Sequence, residues 1–199
     1  MNELDVLENI HGHNTLIVSF SGYALLLGGI QLYEFLTFLN KNFPDTDKLF
    51  LKDSYSSSYH QGVKGISTDI PSTVEYLRTK IQGYSKVLFL GNSGGGYISI
   101  LLGSLLNVTA VLAFVPQTIL RKNNKDPRYK DLKPLINNIT KYYVYGNTSV
   151  KLRFDPHHIS HCDNIGDFDN VFITRLEKVD LKQLRNSGEL FQIIYKIIN

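Results

Sequence analysis

The sequence predicts an α/β fold, a three-layer α/β/α sandwich around a mostly parallel six-stranded sheet. Short runs rich in β-branched and aromatic residues alternate with helix-length segments along the whole chain, without repeats or low-complexity tracts. Most of these runs are almost continuously apolar, as strands buried on both faces must be. The length of 199 residues, 43% of them hydrophobic, suits one core, so residues 1–199 are predicted to form a single domain.

Six strands are predicted. They span residues 14–20, 48–52, 86–90, 109–114, 141–145 and 170–175. Between the first two strands, apolar residues from Leu32 to Leu39 recur at helical spacing. A second helix is predicted to begin near Asp69 and Pro71, before the third strand. After the last strand an apolar helical pattern breaks at Gly188, which predicts a C-terminal helix or a pair of helices over the sheet.

Residues 119–139 are predicted to form an exposed excursion between the fourth and fifth strands. Their first part is polar and contains Asp126 followed by Pro127, and a short helix is expected near residues 132–138. Loops commonly carry binding and catalytic residues, so this segment is the predicted lid or substrate-contacting insertion.

Charge and composition argue against several classes of protein. The net charge of +3, from 21 basic and 18 acidic residues, is too small for strong sequence-independent attraction to nucleic acid. No apolar run approaches the ~20 residues that a membrane-spanning helix needs. The first residues include Glu3 and Asp5 rather than a basic and then apolar stretch, so no secretory signal is predicted. The single cysteine, Cys162, allows no internal disulfide and fits a reducing, cytoplasmic compartment.

The strongest chemical signal is the segment Gly91-Asn92-Ser93-Gly94-Gly95-Gly96. It follows the third predicted strand and precedes a segment that can be helical, which is the setting of a G-x-S-x-G nucleophile elbow. Such a turn is too sharp for flanking side chains, so glycines surround a serine whose Oγ points outward. The helix N-terminus supplies amide N–H groups, including that of Gly94, where an oxyanion would form. Ser93 is therefore the predicted nucleophile.

Two phosphate-binding alternatives fail at this turn. A Walker loop requires Gly-Lys-Ser or Gly-Lys-Thr at its end, and a dinucleotide-binding fingerprint requires glycine where Ser93 stands. A tight structural turn without chemistry is the remaining alternative.

Over nearly its full length the chain resembles the α/β-hydrolase superfamily, in a minimal form that keeps only the six central strands. A narrower similarity is to small hydrolase-like proteins associated with glycan and capsule biosynthesis, some of whose relatives are polysaccharide O-acetyltransferases. It rests on the elbow segment 91–97 and on segments 59–62, 100–103, 114–118 and 188–190. The resemblance implies that the turn after the first strand donates a second oxyanion N–H, here from Ser21 or Gly22.

The same superfamily places its acid after the fifth of these strands and its histidine after the sixth. Asp155 follows the fifth strand, but no histidine occurs beyond His161. The predicted base is therefore a histidine of the loop between these strands, either His161 or His158. His161 is favoured because its greater separation from Asp155 allows one residue to orient the other.

Two alternatives stay open at this point. In one, the acid is Asp163 or Asp180 and the loop wraps differently. In the other, the elbow has no competent base, and the protein is inactive or a binding module.

Four residues are predicted to contact substrate, namely Tyr23, His60, Asn92 and Gln117. His60 lies in a loop after the second strand, near the edge where open α/β sheets bind ligands, although an ordinary loop histidine fits equally well. The cluster 155–163 has a spacing that could hold a metal ion. Histidine-rich loops are more often solvated or hydrogen-bonded, so neither a metal nor a cofactor is predicted.

These observations lead to the hypothesis of a serine esterase or acyltransferase that acts through Ser93 on an acyl ester of a small molecule or a glycan, with a carbohydrate ester as the favoured substrate. Water as second substrate gives an esterase, and a sugar hydroxyl gives an acyltransferase. The outcome depends on whether the closed site excludes water. The alternative is a catalytically inactive binding or scaffold protein on the same fold, because the usual histidine is missing.

Overall fold

Seven strands form the central sheet of the computed structural model, which describes residues 4–22, 26–27, 30–121, 125–150, 155 and 157–199. The strands along the chain are β1 (Val6–Asn9), β2 (Thr15–Phe20), β3 (Leu26–Leu27), β4 (Ile30–Gln31), β5 (Asp47–Leu51), β6 (Lys86–Asn92), β7 (Ala110–Phe114), β8 (Lys141–Asn147) and β9 (Val171–Leu176). Their order in the sheet is β1-β5-β2-β6-β7-β8-β9, and β3 and β4 form a separate antiparallel ribbon. Only β1 runs antiparallel to its neighbour in the large sheet.

Helices cover both faces of the sheet. They are α1 (Leu36–Asn42), α2 (Ile70–Lys80), α3 (Gly94–Leu106), α4 (His161–Asn164), α5 (Leu181–Asn186) and α6 (Glu189–Ile198). Apolar residues of α2, α3 and α4 belong to one core cluster, and those of α1, α5 and α6 belong to the other. Across the described ranges, no helix is long and apolar enough to cross a membrane.

The structure confirms the predicted α/β/α class. All six predicted strands are present, as β2 and β5 to β9, and the pattern that breaks at Gly188 is the helix pair α5 and α6. Four elements differ from the prediction, and one of them is the short helix α4, which the sequence did not predict. Strand β1 adds an antiparallel edge, the ribbon β3–β4 precedes α1, and the helix expected near residues 132–138 is a single 3-10 turn at Lys133–Leu135.

Strand β1 was not evident from the sequence because its own residues are a weak strand signal. Leu7 and Glu8 are exposed, and the strand forms through its pairing with β5, in which Val6 lies opposite Leu51. Its start is fixed by Asp5, whose buried carboxylate accepts hydrogen bonds from the Ser54 N–H at 3.0 Å and the Ser54 hydroxyl at 2.7 Å.

The register of the parallel strands places their carboxyl ends along one edge of the sheet. Phe20 lies opposite both Leu51 and Gly91, Asn92 lies opposite Phe114, and Phe114 lies opposite Tyr145. Residues that directly follow β2, β5, β6, β7 and β8 therefore meet at this edge, which is where open α/β sheets bind ligands.

Local chemistry explains where α2 begins. Asp69 is its N-cap and accepts a hydrogen bond from the Ser72 N–H at 2.8 Å, while Ser72 Oγ accepts from the Asp69 N–H. Pro71 occupies the first turn, where its missing N–H has no cost. This reciprocal arrangement is a capping box, and it confirms the helix start predicted from the sequence.

The segment before β2 is held by the carboxylate of Asp47, the first residue of β5. Asp47 is buried and accepts N–H groups from His11 at 2.8 Å, Gly12 at 3.1 Å and His13 at 3.3 Å, together with the Tyr84 hydroxyl at 2.7 Å. Burial alone would raise the pKa of Asp47, but these hydrogen bonds lower it below its ordinary value.

We expect Asp47→Ala to lower the free energy of unfolding by about 2–4 kcal/mol, because it leaves several donors without an acceptor. The contribution of Asp47 should be present above about pH 4 and decrease as the pH falls below it, since the folded state holds this carboxyl ionised. Urea unfolding of both proteins at several pH values measures this. Asp45→Ala, at an exposed position two residues away, is the control. Equal losses in the two variants would contradict the role of the Asp47 hydrogen bonds.

Candidate active site

Ser93 occupies a sharp turn between β6 and α3. Its backbone angles are φ 53° and ψ −116°, a conformation that residues other than glycine rarely adopt. The residue is partly exposed, and its side chain does not cap the helix that it precedes. Within the part of the chain that the structure describes, Ser93 Oγ has no hydrogen-bond partner. The sharp strand-to-helix turn expected of the elbow is therefore present, and the Ser93 hydroxyl at this turn has no hydrogen-bond partner among the described residues.

Close packing explains the glycines around this turn. A Cβ on Gly91 would collide with the carbonyl of Gly95, and a Cβ on Gly95 would collide with the carbonyl of Phe20 at the end of β2. Helix α3 thus begins directly against two strand ends. Every residue of α3 except Leu105 is buried, so the helix has no room to shift away from them.

The backbone N–H groups near Ser93 differ in whether they are available to bind an oxyanion. The N–H of Gly94 opens α3 and has no acceptor among the described residues. In contrast, the N–H of Ser21 extends the sheet by donating to the Leu51 carbonyl at 2.9 Å, and the N–H of Gly22 donates to Glu34 Oε2 at 3.0 Å. In this conformation neither predicted second donor is free for an oxyanion. Tyr23, a predicted substrate contact, lies outside the described residues.

Glu34 was not anticipated from the sequence, where it precedes α1 as an ordinary acidic residue. Its carboxylate accepts from the Gly22 N–H and, at 3.1 Å, from the Asn92 side-chain amide. Asn92 is therefore bound to protein in this structure, although it was predicted to contact substrate. Burial raises the pKa of Glu34 to about 7, against the opposing effect of these two hydrogen bonds.

The turn after β7 lies beside the elbow. The N–H of Ser93 donates to the Phe114 carbonyl at 2.8 Å, and the next residue, Val115, has a φ of 40°, which is unusual for a β-branched side chain. Gln117 is half-buried, and its side-chain amide has no partner among the described residues. Of the predicted substrate contacts in those residues, Gln117 is the one that retains free donors and acceptors.

The structure brings Asp155 and His161 together, but it turns His161 away from the predicted role. His161 Nε2 lies 3.0 Å from Asp155 Oδ2, and both residues are buried. The other ring nitrogen, Nδ1, accepts the backbone N–H of Thr118 at 3.1 Å. Because a backbone amide can only donate, Nδ1 carries no proton and its lone pair is used. His161 in this conformation cannot take a proton from Ser93.

The ring nitrogen Nε2 of His158 also accepts a hydrogen bond from the protein. Asn147 Oδ1 accepts the Val179 N–H at 2.6 Å, so its amide nitrogen faces His158 Nε2, also at 2.6 Å, and donates to it. Burial lowers the pKa of His158 although the charge of Asp155 opposes the shift, which keeps the imidazole neutral near pH 7. His158 is partly exposed and is held by a side chain rather than by backbone.

The alternative acids Asp163 and Asp180 are bound to other groups of the protein, and the Cys162 thiol is buried. Asp163 pairs with Arg175, and Asp180 is the N-cap of α5, where it accepts the N–H groups of Lys182 and Gln183. Burial raises the pKa of Cys162 to about 11, so its thiol stays protonated. In the described ranges no three His, Cys, Asp or Glu side chains lie close enough together to hold a metal ion.

His60 links the excursion 119–139 to α3. Its Nδ1 accepts the Asp126 N–H at 3.0 Å, and its Nε2 lies 2.9 Å from the Tyr97 hydroxyl, which donates to the Tyr129 carbonyl at 2.7 Å. Beside it, the buried Lys125 ammonium donates to the Ser57 carbonyl. The excursion is thus attached to the loop after β5, and both ring nitrogens of His60 are used within the protein rather than for substrate.

Comparisons with known proteins agree with this architecture. No protein-family model matches the chain, and no curated protein sequence matches it significantly. Among solved structures, a capsule O-acetyltransferase of Neisseria meningitidis serogroup A aligns with a TM-score of 0.67 at 17% identity, over 98% of this chain and 91% of that chain.

Two further solved structures are similar. Fluorophosphonate-binding serine hydrolase F of Staphylococcus aureus aligns with a TM-score of 0.62 at 12% identity, over 96% of this chain and 86% of that chain. A glycosylation-associated protein complex from Streptococcus agalactiae aligns with a TM-score of 0.57 at 15% identity, over 96% of this chain and 46% of that chain. At these identities the likeness shows the fold, which is α/β-hydrolase-like.

The strain at Ser93 can be measured by comparing two substitutions. Glycine adopts positive φ without steric cost, whereas alanine does not, so we expect Ser93→Gly to be more stable than Ser93→Ala by about 1–2 kcal/mol. Unfolding in urea measures the difference. The same pair at Ser72, inside α2, is the control, and there glycine should be the less stable variant. Equal stability of the two Ser93 variants would show that the turn is not strained.

The His60 contacts predict acid sensitivity. Burial and the nearby Lys125 charge lower the pKa of His60 from 6.5 to about 4. Between these pH values His60 is protonated in the unfolded chain but neutral in the folded protein. Stability should therefore decrease as the pH falls from 6.5 to about 4. We expect His60→Gln to show a smaller decrease than the wild type in thermal unfolding over this range. His157→Gln, at an exposed position, is the control, and an unchanged slope in His60→Gln would contradict the assignment.

Proposed function

We propose that the protein is a serine esterase or acyltransferase that acts on an acyl ester, most directly one carried by a carbohydrate. The observation that carries this proposal is the geometry at Ser93. A strained residue presents a hydroxyl without a hydrogen-bond partner in the described structure, beside the free amide of Gly94 at the start of a buried helix. This arrangement supplies the nucleophile and one oxyanion donor for attack on an acyl carbonyl.

In the proposed reaction Ser93 Oγ attacks the acyl carbonyl carbon and loses its proton to a base. The carbonyl oxygen becomes an oxyanion, which the Gly94 N–H and the positive end of α3 stabilise. Collapse breaks the ester bond, and the leaving alcohol takes the proton from the base. Water or a sugar hydroxyl then gives its proton to the base and attacks the acyl-serine, and collapse returns that proton to Ser93 Oγ as the acid or the new ester is released.

His158 is the favoured base in this proposal. It is neutral near pH 7, partly exposed and close to Asp155, whose charge would stabilise an imidazolium. To act, it must exchange its hydrogen bond with Asn147 for one with Ser93. His161 is less suitable because Nδ1 accepts a backbone amide and the ring is buried. Asp155 and His161 would then form the support of the loop that carries His158.

A carbohydrate substrate is supported by the nature of the structural neighbours and by the site. Two neighbours are named as a capsule O-acetyltransferase and as a glycosylation-associated protein. The side-chain amide of Gln117 could bind sugar hydroxyls, since it both donates and accepts.

A second candidate is a non-catalytic binding protein on the same fold. It is favoured by a specific observation, because the lone pair of each of His60, His158 and His161 accepts an N–H group of the protein. No histidine contacts Ser93 among the described residues.

A fluorophosphonate probe distinguishes the two candidates, because it requires an activated serine and little else. We expect the wild type to be labelled and to hydrolyse p-nitrophenyl acetate, Ser93→Ala to lose both activities, and His158→Ala to react about 10²–10⁴-fold more slowly. Ser160→Ala and His157→Ala, at exposed positions of the same loop, are matched controls. An unlabelled wild type that unfolds cooperatively would favour the binding protein, and a labelled Ser93→Ala would place the nucleophile elsewhere.

A further inference from the structure

Glu34 lies between the turn after β2 and the nucleophile elbow. Its main chain is anchored to β2 and the residues that follow it. The Glu34 N–H donates to Ser21 Oγ at 2.9 Å, and Ser19 Oγ donates to the Glu34 carbonyl at 2.8 Å. Both serines are buried. The following residue, Phe35, has a left-handed φ of 63°, so the chain turns sharply into α1 at this point. The backbone of Glu34 is therefore held at both of its polar groups.

The side chain of Glu34 joins two segments that are far apart in sequence. Oε2 accepts the N–H of Gly22, in the turn after β2, and Oε1 accepts the side-chain amide of Asn92, the residue directly before Ser93. The carboxyl group forms a bridge between this turn and the elbow, which we call the Glu34 bridge. Glu34, Asn92 and Ser93 are all partly exposed, so the bridge lies beside the open part of the site.

The two bridged segments approach closely. A Cβ on Gly22 would lie 2.8 Å from the Asn92 carbonyl oxygen, nearer than real Cβ atoms come. On the other side of the turn, a Cβ on Gly95 would lie 3.2 Å from the Gly22 nitrogen. At such separations a small change in the position of Gly22 alters the space next to Ser93 and the first turn of α3.

We propose that Glu34 is a positioning residue, and that the Glu34 bridge sets the width of the gap in which the acyl oxygen binds beside Ser93. The effect of the bridge on acyl binding rests on the proposed function, whereas the hydrogen bonds that form the bridge do not depend on catalysis. It assigns the Gly22 amide a structural role and leaves the Gly94 amide to face the oxyanion. A shift of about 1 Å in such a gap can lower a reaction rate about 10²-fold.

The bridge needs a group with two polar ends rather than a negative charge. A protonated carboxyl group keeps one acceptor for the Gly22 N–H and presents an O–H, which Asn92 can accept after its amide rotates. A carboxamide at position 34 has the same two ends, with its oxygen facing Gly22 and its NH2 group facing the Asn92 oxygen. Glu34→Gln should therefore preserve the bridge, and Glu34→Ala should remove it.

The first test measures the rate at which the fluorophosphonate probe labels Ser93. We expect Glu34→Ala to reduce the rate about 10–100-fold and Glu34→Gln to stay close to the wild type. Asn92→Ala should also slow labelling, and the double variant Glu34→Ala with Asn92→Ala should be little slower than Glu34→Ala alone, because the two residues act through one bridge. Glu75→Ala, at an exposed position on α2, is the matched control.

Three outcomes of the labelling test would overturn the proposal. If Glu34→Ala is labelled as fast as the wild type, the bridge does not set the width of the gap. If Glu34→Gln is as slow as Glu34→Ala, the carboxyl group takes part in proton transfer and is not merely positioning the turn. If Glu34→Ala is faster than the wild type, the carboxylate blocks the Gly22 amide and acts as an inhibitory contact.

The second test measures the bridge directly and does not require the protein to be an active enzyme. Hydrogen exchange of the Gly22 amide, followed by NMR, should be slow in the wild type and in Glu34→Gln, and at least about tenfold faster in Glu34→Ala. An unchanged Gly22 exchange rate in Glu34→Ala would overturn the bridge. If the exchange responds as expected but the wild type is not labelled, the proposed enzyme activity fails and the bridge stands.

Discussion

The backbone conformation at Ser93 is the constraint on which the rest of the site depends. An L-residue in this conformation costs about 1–3 kcal/mol, and it persists only where the surrounding packing leaves no alternative. Here that packing is provided by α3, which is buried along nearly its whole length and starts in contact with the ends of β2 and β6. The strain is thus balanced by the burial of the helix, and the glycines are needed because the helix lies so close to the strands.

Around this turn most polar groups are satisfied within the protein, which makes the exceptions informative. The amides of Ser21 and Gly22, the carboxylates of Glu34 and Asp155 and the imidazoles of the candidate histidines all have protein partners. The Ser93 hydroxyl, the Gly94 amide and the Gln117 side chain are among the groups that have no hydrogen-bond partner in the described structure. In the proposed reaction these groups would supply the nucleophile, one oxyanion donor and a polar contact, whereas the base would have to be freed by a local rearrangement.

Much of the fold could be predicted because its signals are local. Apolar runs mark the central strands, Asp69 and Pro71 mark the start of α2, and the glycines mark the elbow. The details of the site depend on contacts between distant parts of the chain. The proximity of Asp155 and His161 follows from a short spacing, but the partner of His161 Nδ1 is Thr118, 43 residues away. The contact between Glu34 and Asn92 joins residues that are 58 positions apart, and neither residue type predicts it.

The attachment of residues 125–130 also has a thermodynamic consequence. These residues are joined to the loop after β5 and to α3 through polar groups, namely Lys125, the Asp126 amide and the Tyr129 carbonyl, and the Tyr129 ring adds one apolar contact with the core. Exposure of apolar surface raises the heat capacity and exposure of polar surface lowers it. Detaching this segment would therefore change the heat capacity far less than global unfolding does. A van't Hoff plot of the equilibrium between the attached and the detached segment would be nearly linear. Over the same temperatures the free energy of unfolding of the whole domain would be strongly curved.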